Sequence, residues 1–295
     1  MQDWQGSSFF DGWDFFYWDD PTHGTVNYLD EANAFDRGLA YTYDNGNGGE
    51  NAVIRVDDST WLASGAYRDS VRITSKEKVK LGSIVIFDAN KMPYGQTVWP
   101  AFWTVGADWP NGGEIDIVEG VHTSVHNQMT LHSASGCTLS EPMDATATVL
   151  TTNCDANVNY NIGCGTLDSS SVSFGQGFSD NGGGVFATHF AAEAISIWFF
   201  PRGSVPSDID SGSPDISAWG EPKARFANDT CAIEDYFADQ TIVINTTLCG
   251  DWAGSQDVYS SYGYSGSCAD AVYNPNLYTN ALFDINYVKV YEPSS

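Results

Sequence analysis

The sequence predicts an all-β fold, and three observations carry that reading. Glycine recurs at short intervals, 29 times in 295 residues, clusters of β-branched and aromatic residues lie between these breaks, and long amphipathic helical patterns are missing. Val53–Val56, Ser83–Phe87 and Ala194–Phe200 are such clusters and read as strands. A chain of this length buries an ample core, and no linker or internal repeat interrupts it, so residues 1–295 are expected to form one domain. The glycine-rich segments Asp44–Gly49 and Ser179–Gly184 are too short for linkers and predict turns between strands. The polar stretch 136–184 predicts extended loops at one end of a cleft.

One strand carries the chemistry. In Asn111-Gly-Gly-Glu-Ile-Asp-Ile-Val-Glu-Gly120, Glu114 and Asp116 share one parity, while Ile115 and Ile117 fall on the opposite, core-facing side. Glu119 has the wrong parity for the acidic face unless one extra residue is absorbed near Val118, which a β-bulge does. With the bulge, Glu114 and Glu119 are effectively four strand steps apart, roughly 13 Å between Cα atoms. Two glutamyl side chains leaning together leave about 5 to 6 Å between carboxyl groups, near the roughly 5 to 5.5 Å that retaining glycoside hydrolysis requires.

The run Glu114-Ile-Asp-Ile-Val-Glu119 resembles the signature of glycoside hydrolase family 16 in its bulged, laminarinase-type form. Trp99-Pro-Ala-Phe-Trp103, Trp109-Pro-Asn-Gly-Gly113, Thr130-Leu-His132, Asn245-Thr-Thr-Leu-Cys-Gly-Asp-Trp-Ala-Gly254 and Phe283-Asp-Ile-Asn-Tyr-Val-Lys-Val-Tyr291 extend the similarity over nearly the whole chain. It is strongest toward secreted fungal endo-β-1,3-glucanases. The resemblance implies a jelly-roll sandwich of two curved antiparallel sheets whose concave face is a cleft for a polymer. It also implies roles: Glu114 as nucleophile, Glu119 as acid and then base, and Asp116 as the neighbour that orients Glu114. Trp99, Trp103, Trp109 and Trp252 match aromatic positions of the cleft, and His132 and Arg72 match groups that meet sugar or, for His132, Asp116. For each aromatic a place in the core is the competing reading, for His132 a backbone partner, and for Arg72 a surface ion pair.

Charge narrows the substrate. Thirty-eight acidic residues against twelve basic ones give a net charge of −26, which repels nucleic acid and anionic membrane surfaces and suits a neutral glycan better than a sulfated one. Six cysteines, 137, 154, 164, 231, 249 and 268, have no metal or redox spacing and fit an extracellular disulfide framework. They fall into two groups of three, so full oxidation needs at least one bridge between the groups, and the pairing is otherwise open. Asn228-Asp-Thr230 and Asn245-Thr-Thr247 are glycosylation sequons. Met1–Gly6 has neither the basic start nor the apolar core of a signal peptide, so secretion is expected from cysteines, sequons and resemblance.

Other chemistries lack their motifs. His122 and His126 stand outside a His-Glu-x-x-His pattern, and Asp208, Asp210 and Asp215 read as a solvated acidic turn rather than a calcium loop, so no metal is expected. No nucleophile elbow or phosphate loop occurs, and no cofactor is required. The function expected is that of a secreted, monomeric endo-β-1,3(4)-glucanase. A non-catalytic glycan-binding jelly roll and a wall-remodelling transglycosylase are the alternatives.

Overall fold

Alternating apolar and polar residues make strands along most of the chain, and a computed structural model assembles them into two eight-stranded antiparallel sheets. The structure describes residues 1–293 and, of Asp210, the backbone alone. One sheet runs from edge to edge through Thr148–Val149 (β12), Cys164–Leu167 (β13), Gln128–His132 (β11), Glu114–Glu119 (β10), Val98–Gly106 (β9), Gln240–Leu248 (β17), Arg72–Val79 (β7) and Trp13–Phe15 (β2). The other passes through Ala224–Ala227 (β16), Ala194–Pro201 (β15), Gly184–Phe190 (β14), Ser83–Lys91 (β8), Leu282–Tyr291 (β18), Glu50–Arg55 (β5) and Ala40–Asp44 (β4), with Gln2–Gln5 (β1) paired to β18. Val26–Tyr28 (β3) and Arg68–Ser70 (β6) form a separate parallel pair. This is the expected jelly-roll sandwich; the strands read at 83–87 and 194–200 fall in β8 and β15, and the one read at 53–56 overlaps β5, which ends at Arg55.

The inner faces of the sheets meet in one apolar layer. Phe87 of β8 stacks on Phe102 of β9 at 4.1 Å and 6° between ring planes, both fully buried, so the two sheets are joined by ring-on-ring contact. Ile115, Ile117 and Val118 of β10 enter the same core. Register shifts in β10, in the β7–β17 pair and in the β8–β18 pair mark bulges, which bend the sheets. Helical segments among the described residues reach seven residues at most, and no helix is long and apolar enough to cross a membrane.

Two loop expectations have different outcomes. Asp44–Gly49 is the hairpin between β4 and β5, as expected. Ser179–Gly184 instead joins a short helix, Gly175–Asp180, to β14, because Gly-Gly-Gly follows a single amphipathic turn whose Phe178 is buried. Residues 136–184 are mostly loop, with the short β12 and β13 at the sheet edge beside β11 and the short helix Gly175–Asp180 before β14.

Three disulfides form: Cys137–Cys231, Cys154–Cys164 and Cys249–Cys268, of which the first is the bridge required between the two groups. Its partners lie 94 residues apart, against 10 for Cys154–Cys164. Loop-closure entropy then makes removal of Cys137–Cys231 by paired serine substitution costlier than removal of Cys154–Cys164, by about 2 kcal/mol. Urea unfolding of the two double variants measures this, and equal losses would contradict it.

Candidate active site

A tight turn launches the acidic strand. Gly113 takes φ +72°, and a Cβ there would come within 2.3 Å of the Phe237 ring and 2.7 Å of the Tyr236 carbonyl. Gly106 N–H closes the turn on Gly113 C=O at 2.9 Å. From there Glu114 pairs with Val105 and His132, and Glu119 pairs with Ala101 and Gln128. A five-residue step along β10 therefore matches a four-residue step on each neighbour, with the register break beginning after Asp116. Ile117 and Val118 are both buried, the two consecutive inward residues a bulge demands, and Glu114, Asp116 and Glu119 share the cleft face.

Asn127, which the sequence reading missed, closes the bulge. Its Oδ1 accepts from Glu119 N–H at 3.0 Å and its Nδ2 donates to Ile117 C=O at 2.8 Å, satisfying two backbone groups from the irregular step. Asn127 is fully buried, and its backbone N–H donates to Ser173 Oγ at 3.0 Å.

Charges in the cluster are interdependent. His132 Nε2 lies 3.3 Å from Asp116 Oδ2, and Nδ1–H donates to Asn161 Oδ1 at 2.8 Å. Burial disfavours a charged His132, but the hydrogen bond to Asp116 and the carboxylates of Glu114, Asp116 and Glu119 outweigh it and raise its pKa to about 10. Burial first, and then the charge of Asp116, push Glu119 up to about 8, while the Trp99 indole N–H, 2.9 Å from Oε1, pulls it down. The same two causes push Glu114 up to about 8, and His132 and Trp109 favour its ionised form. Each glutamyl group therefore titrates in the field of Asp116 and His132. Glu114, Asp116 and His132 are also the one group of three potential metal ligands among the described residues, with their atoms within 4.8 Å of one another. The Asp116–His132 ion pair accounts for that proximity without an ion.

The four tryptophans are at least partly exposed and stand outside the buried core clusters. Trp99 and Trp103 are half-buried on β9, Trp109 is 45% exposed, and Trp252 meets Trp99 edge-on at 5.7 Å. Trp103 Nε1 donates to Asn245 Oδ1 at 2.7 Å, and Asn245 Nδ2 donates to Tyr28 Oη at 3.1 Å. The sequon read at Asn245 is thus a buried floor position, whereas Asn228 is exposed. Arg72 lies over Phe16 at 4.3 Å and 5.2 Å from the Trp103 ring centroid, in the row that also holds Glu119, Ala101 and Asn245. The surface ion pair weighed for Arg72 is replaced by this aromatic sandwich. His122 and His126 point to separate partners, Thr97 N–H and Ser170 C=O. In the 208–215 turn, Asp208 Oδ2 is occupied by Asp215 N–H and Trp219 Nε1, both at 2.7 Å, and the Asp210 side chain lies outside the described residues.

A sandwich whose open face carries paired carboxylates between aromatic walls defines the class of carboxylate-dependent glycoside hydrolases. A model of the XgeA-like catalytic domain of glycoside hydrolase family 16 matches residues 13–291, and the chain belongs to that family. It is 40% identical over 299 residues to an endo-1,3(4)-beta-glucanase of Arthroderma benhamiae, covering 98% of this chain and 64% of that protein. Laminarinase 16A from Phanerochaete chrysosporium, solved with beta-glucans in its donor and acceptor sites, superposes with TM-score 0.94 at 40% identity, over 99% of this chain and 98% of that one. A structure described as an elongating family 16 beta-1,3-glucosyltransferase matches with TM-score 0.88 at 36% identity, over 98% and 97% of the two chains. The chain spans 68%, 64% and 45% of the first curated relatives it matches.

Two substitutions probe this geometry. Asn127→Ala leaves Glu119 N–H and Ile117 C=O unpaired, and is expected to cost about 1–3 kcal/mol of stability and to lower kcat on glucan at least tenfold. An unchanged kcat in folded variant would contradict the clamp. Trp99→Phe removes the donor that favours the Glu119 carboxylate, so the alkaline limb of the pH–rate profile should move up; a downward shift would refute the assignment.

Proposed function

We propose that this chain is an endo-acting β-1,3-glucan hydrolase that also accepts mixed-linkage β-1,3(1,4)-glucan and retains the anomeric configuration. The compressed step from Glu114 to Glu119 carries the reading, since it turns both carboxyl groups to one cleft face, as a double displacement needs. Glu114 attacks the anomeric carbon as Glu119 protonates the leaving oxygen, giving a glycosyl ester on Glu114. Water deprotonated by Glu119 then opens that ester. Asp116 stands beside Glu114 and the charged His132 balances it, while the proton for the leaving oxygen is carried by Glu119, whose affinity for it is raised by burial and by Asp116. Esterification removes a negative charge beside Glu119 and lowers its proton affinity for the base step.

Trp103, Trp109, Trp99 and Trp252 offer flat apolar faces to sugar rings, and Arg72 and Asn245 offer polar groups to hydroxyls. Residues 1–295 act as one monomeric catalytic domain outside the cell, which the three disulfides suit. Wild type incubated with laminarin should release short oligosaccharides whose new reducing ends are first β by proton NMR. Glu114→Ser should bind laminarin and release none. Initial α-anomer would exclude retention, binding without product by wild type would leave a lectin, and lengthened chains would make the activity transfer rather than hydrolysis.

A further inference from the structure

Beyond Arg72, the concave sheet ends at β2, and the chain leaving that strand exposes two aromatic rings. Tyr17 and Trp18 stack on each other with centroids 4.3 Å apart and planes at 21°, and they are 55% and 61% exposed. Phe16, the ring beneath Arg72, meets Trp18 edge-on at 5.4 Å. The segment is pinned to cleft strands at both ends. Phe16 N–H donates to Arg72 C=O of β7 at 2.9 Å. Asp20 Oδ2 accepts from Thr247 Oγ1 of β17 at 2.7 Å, and also from Thr22 Oγ1 at 2.7 Å and Gly24 N–H at 3.0 Å. Core packing does not account for rings that are mostly in solvent, and their mutual stacking holds them as one flat surface.

The pair continues the cleft. Glu119, Ala101, Asn245 and Arg72 form one transverse row across β10, β9, β17 and β7, with β2 and Phe16 next. Four inter-strand spacings put the sheet edge roughly 19 Å from the acidic strand. A chain lying along that row from the carboxylates passes Trp103 and Asn245, then Arg72 and Phe16, and arrives at Tyr17 and Trp18. We propose that Tyr17 and Trp18 form a distal platform that binds a β-glucan chain far from the scissile bond, on the side of Arg72. This rests on the glucan reading above. Because the contact is equally present before and during reaction, it favours long chains through affinity and not through kcat.

The test measures Kd by calorimetry in the Glu114→Ser background, with laminaritriose and laminariheptaose as ligands. Adding Trp18→Ala should weaken laminariheptaose roughly five- to tenfold, the size of one aromatic stacking contact, and laminaritriose less than about twofold. Tyr17→Ala should weaken the longer ligand in the same sense. Unchanged affinity for laminariheptaose, or equal weakening of both ligands, overturns the platform. Failure of the parent Glu114→Ser protein to bind either oligosaccharide overturns the glucan reading itself.

Discussion

The extra residue in the acidic strand is the constraint on which the rest depends. A regular pleat would aim Glu119 at Phe87 and Phe102, into a layer with no room and no partner for a carboxylate. The bulge turns it to the cleft, and Asn127 satisfies the backbone groups on either side of Val118. The rigid two-sheet core below supplies the other half of the constraint, because Ile117 and Val118 fill it together and hold the register. Local irregularity and tight packing are thus one arrangement seen from two sides.

Electrostatics follows from that placement. Three carboxyl groups on one short strand repel one another, and the net charge of −26 adds to the cost of crowding them. His132 offsets one of the three, held between Asp116 and Asn161. Asn159, Tyr160 and Asn161 all take positive φ, and the Cys154–Cys164 bridge closes this loop. Strain there is the counterpart of a fixed imidazole orientation.

Much of this was legible in the sequence. The parity of Glu114 and Asp116, the misfit of Glu119 and the aromatic residues around them suffice for strand, bulge and cleft. The positioning amides were not legible. Asn127 and Asn161 act through contacts that no periodicity announces, and Asn245 imitates a glycosylation sequon although β17 buries it. Ser179–Gly184 misled for a related reason: glycine signals a turn but not which elements the turn joins. Tyr17 and Trp18 belong to no motif read in the sequence, and their exposure follows from the end of β2 at Phe15.

The most direct measurement is capture of the covalent intermediate. A β-glucosyl or laminaribiosyl donor fluorinated at the 2-position and carrying a good leaving group slows ester hydrolysis, and peptide mass spectrometry then locates the sugar. The account predicts one glycosyl group, esterified to Glu114. Label on Glu119, or turnover of glucan with no adduct on either residue, would contradict it.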